Sequence, residues 1–365
     1  MTNYAVEFLK HILKVYSPTG QEEELAKFLS RRMKRLGFKV RIDEVGNVIG
    51  RIGSGSPKIL LCGHIDTVPG QIPVERVGNK IYGRGAVDAK GPMAAMIMAA
   101  KECARSNRSG TVIVAGVVGE EGTSVGMRHL LKKRLRADYA IIGEPSGIGK
   151  ITIGYRGRAQ LKLTCRTIGG HAGAHWLYRN AIEDAYQIWL IMKNIQLKWH
   201  KEGGHFYSVS MCPTMLKGGE FSNVVPSYCE MTIDVRVPPP LKCADVIREI
   251  KAATNSYEKD KLDFKIEVED KMEPFEVNKD SALIRALKGA IREEKIRPVK
   301  LIRKTGASDM NFVGACMKIP VVAYGPGNSQ TEHTTEENID VQEYLTSIKV
   351  LSKTLEKLLP PVSSS

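Results

Sequence analysis

Lys58-Ile59-Leu60-Leu61-Cys62-Gly63-His64-Ile65-Asp66 is an almost unbroken apolar run that ends on a His-x-Asp triplet. A short run of this kind, bounded by charge and glycine, predicts a strand buried on both faces, as a parallel sheet requires. Similar runs recur at 111–118 (TVIVAGVV), 139–143 (YAIIG) and 319–325 (IPVVAYG). Between the first two, Met93 to Ala104 is rich in alanine and methionine and predicts a helix packed against the sheet. Upstream, Glu24, Leu25, Phe28, Leu29, Met33 and Leu36 follow helical spacing, so Leu9 to Gly37 reads as helices broken by the Ser17-Pro18-Thr19-Gly20 turn. Strand and helix in alternation predict an α/β fold with a doubly wound, mostly parallel sheet.

The middle of the chain has another rhythm. Residues 159–168 (AQLKLTCRTI) and 228–236 (YCEMTIDVR) alternate apolar and polar, as half-exposed antiparallel strands do. Ile182, Tyr186, Trp189 and Met192 between them sit at helical spacing, and a second helix is expected over 242–256. Residues 154–270 therefore read as an α+β domain inserted into a catalytic domain made of 1–153 and 271–365. The last residues, PPVSSS, read as a disordered tail.

Composition bounds the rest. The chain has 365 residues, 42% hydrophobic and 26% charged, which is ordinary for a soluble globular protein. Seven scattered cysteines, with no C-x-x-C pair, argue against a disulfide framework or a thiolate zinc site and point to a reducing, cytoplasmic setting. No signal peptide and no run of 18 apolar residues is present, so no membrane partner is expected. The net charge is +14, and residues 1–153 carry most of the excess, with 24 Lys and Arg against 14 Asp and Glu. Such a surface favours an acidic partner, although a lysine-rich solvated exterior gives the same count. Nucleic acid is a remote alternative, because no stacking motif or recognised binding module accompanies the charge.

In open α/β sheets ligands bind beyond the carboxyl ends of the strands. Here those ends carry His64 and Asp66, then Glu120 and Glu121, then Glu144. One imidazole and four carboxylates on a single rim would repel one another unless cations were present. Asp88 adds a further acid, in the glycine-rich loop Tyr82 to Pro92 that leads into the Met93 helix. Aspartate is also common in turns and helix caps. Phosphate binding by this loop is a weak reading, since neither G-K-[ST] nor G-x-G-x-x-G spacing occurs.

Taken in order, His64-Ile65-Asp66, Gly83-Arg84-Gly85-Ala86-Val87-Asp88-Ala89-Lys90-Gly91, Gly119-Glu120-Glu121-Gly122, Gly143-Glu144-Pro145 and Glu332-His333-Thr334 resemble the co-catalytic zinc peptidase family. Its members include aminoacylases, glutamate-releasing carboxypeptidases, acetylornithine deacetylase and succinyl-diaminopimelate desuccinylase. The resemblance spans nearly the whole chain. It implies two Zn²⁺ per subunit, with Co²⁺ or Mn²⁺ as substitutes, bridged by Asp88. His64 and Glu144 would complete one site, and Glu121 and His333 the other. Asp66 would orient His64 through its second ring nitrogen, and the Asp88–Ala89 peptide would be cis. Glu120 would be the general base toward water acidified by the ions.

The inserted segment adds Gly169-Gly170-His171-Ala172-Gly173, which resembles the family's lid motif. By that resemblance His171 reaches across a homodimer to stabilise the oxyanion. His175 stands where a proline is usual and keeps open which histidine acts. Asn223 and Arg236, in Asn223-Val224-Val225-Pro226 and Asp234-Val235-Arg236, would hold the oxyanion and the substrate carboxylate. Thr305-Gly306-Ala307-Ser308-Asp309 resembles a substrate-contacting loop, and Ser308 is taken as a contact. His11, His129, His200 and His205 receive no role.

The stretches EEGTSVGMRHL (120–130) and GPGNSQTEHT (325–334) are similar to hydrolases that release lysine, and sometimes ornithine, from the C-terminal glutamate of a small acidic amino-group carrier protein. The expected function is therefore a carbon–nitrogen amide hydrolase of lysine or arginine biosynthesis, with deacylation of small N-acyl-amino acids as the alternative. Arg128, Lys132, Lys133, Arg134 and Arg136 are the expected carrier-docking cations.

Overall fold

The structure is a computed structural model that describes residues 2–199, 204–255 and 263–362. His200, Ser256 and Ser363 to Ser365, each covered by an expectation above, lie outside these residues. Two compact units emerge. One comprises Met1–Gly154, Val277–Ile302 and Ser308–Ser365, and the other Tyr155–Glu276 and Arg303–Ala307.

The first unit opens with α1 (Thr2–Lys14), α2 (Glu23–Arg35), β1 (Lys39–Ile42), β2 (Val48–Ser54) and β3 (Lys58–His64). It continues with β4 (Glu75–Val77), β5 (Lys80–Tyr82), α3 (Lys90–Cys103), β6 (Gly110–Val117), α4 (Val125–Lys132), β7 (Tyr139–Ile142) and β8 (Lys150–Tyr155). The second unit holds β9 (Gly157–Arg166), β10 (Gly170–His171), α5 (Ala181–Gln196), β11 (Ser210–Gly218), β12 (Val224–Val225), β13 (Tyr228–Val237), α6 (Cys243–Asn255), β14 (Asp263–Met272) and β15 (Phe275–Glu276). The chain then runs through α7 (Ala282–Glu293), β16 (Lys300–Lys304), α8 (Asp309–Met317), β17 (Val321–Ala323), β18 (Asn338–Asp340) and α9 (Val341–Leu358).

The central sheet runs β1-β2-β6-β3-β7-β17-β8. The four runs that predicted parallel strands are its middle: β6, β3, β7 and β17 are mutually parallel, while β2 and β8 flank them antiparallel. The fold is α/β with a mostly parallel sheet. Register decides where the ligand-type residues fall. His64 lies level with Val117, and Cys62 with Ile142, so Asp66, Glu120 and Glu144 all follow on the same rim. Residues 59–62 are fully buried, as are Met93 to Ile97 on α3. Small residues let that helix approach: a Cβ on Gly143 would lie 3.1 Å from Met96 Sδ, and one on Gly63 would lie 3.6 Å from Met93 Sδ.

In the second unit, β11-β13-β9-β14 form an antiparallel sheet. The alternation in β9 and β13 buries Ala159, Leu161, Leu163 and Cys165 against Ile188 and Met192 of α5 and Val246 and Ile250 of α6. Residues 303–307 join this unit because Arg303 lies over the Phe206 and Tyr207 rings and Thr305 accepts a hydrogen bond from Arg156 (2.9 Å). One expectation is corrected. The start of the PPVSSS tail is stitched to the body, since Ser109 N donates to Pro360 O (2.9 Å) and Val362 N to Asn107 O (3.1 Å).

Asn47 fixes the start of α4. Its side chain accepts from Val118 N (3.1 Å) and donates to Gly126 O (2.9 Å), and Gly126 N donates to Val118 O (3.0 Å). A Cβ on Gly126 would fall 2.5–2.6 Å from the Val118 backbone, which cannot yield as a side-chain tip can. Gly126→Ala is expected to cost about 1–3 kcal/mol through overpacking, read as a lower denaturant midpoint with an unchanged m-value.

Candidate metal centre

Asp88 closes the glycine-rich loop between β5 and α3, and its peptide bond to Ala89 is cis. The loop is held from outside by Glu337, which is 1% exposed. Glu337 Oε1 accepts from Val87 N (2.9 Å) and Asp88 N (3.0 Å), and Oε2 accepts from Gly85 N (3.1 Å) and Arg84 Nη1 (2.9 Å). Gly85 has φ +85°, and a Cβ there would meet Lys90 at 2.8 Å, so only glycine suits the turn. Lys90 is buried, with Nζ donating to Val15 O (2.8 Å).

Held this way, Asp88 meets the imidazoles from two other loops. His64 Nε2 is 2.9 Å from Asp88 Oδ1, and His333 Nε2 is 3.1 Å from Asp88 Oδ2 and 2.8 Å from Glu121 Oε1. Ligand atoms of His64, Asp88 and Glu121 all lie within 4.8 Å of one another. His333 has φ +63°, a left-handed conformation that is uncommon outside glycine and is typical of functional positions.

Asp66 does more than the sequence expectation gave it. His64 Nδ1 is closer to the Asp66 backbone carbonyl (3.0 Å) than to its carboxylate (3.5 Å). The carboxylate instead accepts from Glu120 N and Glu121 N, both at 3.0 Å, and from Thr19 Oγ1 at 2.9 Å. One buried acid thus fixes the backbone of both glutamates. Glu144 follows β7 and is 8% exposed.

Electrostatics separates these groups. Burial pushes the Glu120 carboxyl well above its ordinary range; His64 opposes this, while Asp309, Asp88 and Glu121 add to it. Glu121 is raised by burial and by Asp88. Burial opposes the charged form of Asp88, but hydrogen bonds from His333 and His64 outweigh it and lower its pKa. Burial would also lower His64, yet Asp66 and Asp88 hold it well above the usual imidazole range. His333 is raised to about 9, chiefly by its hydrogen bond to Asp88. Asp309, at the first turn of α8, is pushed up to about 7 by burial and Glu144, and its Oδ1 has no hydrogen-bond partner among the described residues. Buried acids that resist ionisation, beside imidazoles that accept protons in compensation, form a donor set short of positive charge. Hard oxygen and imidazole donors without thiolate fit divalent cations of the zinc, cobalt or manganese kind.

The other expected residues fall as follows. In the second unit, His171 pairs with Val224 across β10 and β12, and Ala172 N donates to Asn223 O (2.9 Å), so His171 and Asn223 are neighbours. His171 is exposed, and its Nδ1 accepts from Gly173 N (3.0 Å). His175 is edge-on to Trp176. Arg236 Nε donates to Asp234 Oδ1 (2.6 Å), and Asp234 also receives Arg158 (2.8 Å). In the first unit, Ser308 is 2% exposed, and its hydroxyl caps α8 by accepting from Met310 N (3.2 Å). Of the expected docking cations, Lys133, Arg134 and Arg136 line one cleft at the amino-terminal end of β3. Arg128 donates to Thr123 O and lies over the Phe312 ring, and Lys133 pairs with Glu44 (2.6 Å). His129, given no role, joins the same ion-paired turn with Asp43 and Glu44. The Asp43 oxygens are taken by Val45 N and by Asn47, so this second acid–imidazole group is a braced turn.

Glu337 and Arg84 were not foreseen. The available signal was an arginine inside a tight glycine loop, which needs a buried counter-charge, with Glu337 four residues after His333. Glu337→Gln would turn one acceptor into a donor facing N–H groups. It is expected to weaken metal retention about 10–100-fold, measured by competition with a chelator, and to lower the melting temperature.

Residues 60–357 match Peptidase family M20/M25/M40. A Saccharolobus islandicus protein named LysW-lysine/LysW-ornithine hydrolase is 34% identical over 355 residues, covering 97% of this chain and 96% of its own. A Pyrococcus abyssi protein, given the same name provisionally, is 38% identical over 357 residues, covering 97% and 94%. Among solved structures, aminopeptidase PepT from Bacillus cereus superposes with a TM-score of 0.83 at 22% identity, over 98% of this chain and 99% of that one. With its acid and imidazole loops converging on one sheet rim, the chain belongs to peptidase family M20/M25/M40.

Proposed function

We propose that the chain is a two-metal amidohydrolase that releases L-lysine, with L-ornithine as a second product, from the C-terminal glutamate of an acidic amino-group carrier protein. The observation that carries the reaction class is the pairing of Glu120 and Glu121 on Asp66. Successive residues anchored through their amides send their side chains apart. Glu121 joins Asp88 and His333, while Glu120 is half-buried with a raised affinity for a proton. The substrate reading rests on the full-length similarity to relatives named for LysW-lysine and LysW-ornithine.

In this reading His64, Asp88 and Glu144 would hold one ion, and Asp88, Glu121 and His333 would hold the other. When bound, the pair supplies Lewis acidity toward the scissile carbonyl and toward water. Glu120 takes the attacking water's proton and returns it to the leaving amine, a transfer suited to a carboxylate tuned upward. Asp66 keeps Glu120 in place through the backbone. Arg236 pairs with the substrate carboxylate, and His171 with Asn223 supports the carbonyl oxygen. The basic surface raises the encounter rate with an acidic carrier. We further read the second unit as a dimerising lid. Its edge strand β11 exposes Met215 and Leu216, 53% and 56% exposed, in a form open to pairing with a second copy. Among the described residues no helix is long and apolar enough to cross a membrane.

Chelation should abolish hydrolysis, and added Zn²⁺, Co²⁺ or Mn²⁺ should restore it. Glu120→Gln should lower kcat by about 10²–10⁴-fold with two ions per chain retained by elemental analysis; unchanged kcat would remove Glu120 from the chemistry. Carrier-linked lysine should be turned over far faster than N-acetylornithine. The reverse order would make the chain a small-molecule deacylase. Leu216→Glu should shift the mass in light scattering from dimer to monomer.

A further inference from the structure

The amino-terminal ends of β3 and β6 form a cleft remote from the metal centre. Its lining includes Lys39 and Arg41 on β1, Arg51 on β2, Lys58 at the start of β3, and Arg134 and Arg136 after α4. Its volume is about 560 Å³, within the range of small-ligand sites. Among the described residues these six side chains make no ion pair or hydrogen bond. The seventh cation of the lining, Lys133, is neutralised by Glu44. Among the described residues no carboxylate lines the cleft.

Register makes the crowding costly. Lys39 stands directly opposite Arg51 in the β1–β2 pair, and like charges at that position destabilise a sheet. The acids of the metal centre do not offset this. From Lys58 to His64 the strand spans roughly 20 Å at about 3.3 Å per residue, beyond the Debye length of about 8–10 Å at physiological salt. The cations come from four separate segments, so no single helical or strand face accounts for their meeting.

We infer that this cleft binds a compact multivalent anion of the polyphosphate class, a site that lies beyond the amide hydrolysis proposed above and does not depend on it. A single carboxylate or monophosphate would leave most of six charges uncompensated, whereas a triphosphate carries several charges within the cleft's volume. Four of the six are arginines, whose planar forks match phosphate oxygens. Among the described residues no aromatic side chain lines the cleft, so recognition rests on the phosphates rather than on base stacking.

The test is calorimetric titration of the metal-loaded full chain with sodium triphosphate at low salt, and with ATP in parallel. Saturable 1:1 binding is expected for both, similar in strength and weakened by added salt. Lys39→Glu/Arg51→Glu and Arg134→Glu/Arg136→Glu should each weaken binding by about tenfold or more. Neither pair touches the metal centre, so both variants should retain their metal ions, read by elemental analysis. The milder Arg51→Gln/Arg136→Gln serves if a reversal fails to fold by circular dichroism. No binding, or heat that survives the substitutions because the anion merely chelates the bound metal, would overturn the inference. So would an oligonucleotide or an acidic protein that occupies these residues while triphosphate does not.

Discussion

Everything at the metal centre depends on where Asp88 is held, and that position is set by a second carboxylate, on Glu337. Three backbone N–H groups and one guanidinium nitrogen converge on its two oxygens. A loop rich in glycine has high conformational entropy, and an acid that meets two imidazoles needs a single geometry. Charge-assisted hydrogen bonds to a buried acid meet that need directly, because they grip the backbone of the loop at Gly85, Val87 and Asp88. Arg84 completes the arrangement by donating to Gly70 O (2.8 Å) and Thr334 O (3.0 Å) as well as to Glu337. Glu337 and His333 are four residues apart, so one segment supplies both a metal-type donor and the clamp on its partner.

Asp66 applies the same device on the other side. A residue two positions beyond His64 was expected to orient the imidazole by its carboxylate. The backbone carbonyl is the closer partner, which frees the carboxylate for the amides of Glu120 and Glu121. Hydrogen bonds to the backbone of two adjacent acids restrict both without consuming either side chain. Their titration still differs: both are raised by burial, but Glu120 feels three neighbouring acids, and only Glu121 has His333 as a hydrogen-bonding partner.

Much of the architecture was legible because buried parallel strands announce themselves. The four apolar runs became β3, β6, β7 and β17, and the alternating segments became β9 and β13. Short, exposed β1 has no such signature, with the pattern KVRI, and its pairing with β2 depends on long-range register. At the site, ligand-type residues were visible because chemistry restricts them to His, Asp and Glu. Glu337, Lys90 and Asp309 were not visible, because a buried charge looks like a surface charge until its partners are known. Ser308 has a duty the sequence did not show: its hydroxyl serves the capping box of α8 with Asn311. The tail followed a similar rule. Its composition is that of a disordered end, yet two backbone hydrogen bonds pin Pro360 to Val362.

The charge distribution along β3 shows why net charge alone says so little about function. The strand begins at a cluster of cations that make no ion pair among the described residues and ends beside a buried imidazole and half-buried acids. Were the two clusters adjacent, they would neutralise each other and neither would call for a ligand. Separated by the strand's length and by screening solvent, each carries its own imbalance. At the carboxyl rim the imbalance is negative and enclosed by protein, where desolvation is severe, and divalent cations are the chemically matched remedy. At the amino rim it is positive and open to water, so the penalty is smaller and the binding it supports should be weaker and salt-sensitive. A total of +14 averages over both and conceals that the most basic segment of the chain also contains Asp66, Asp88, Glu120, Glu121 and Glu144.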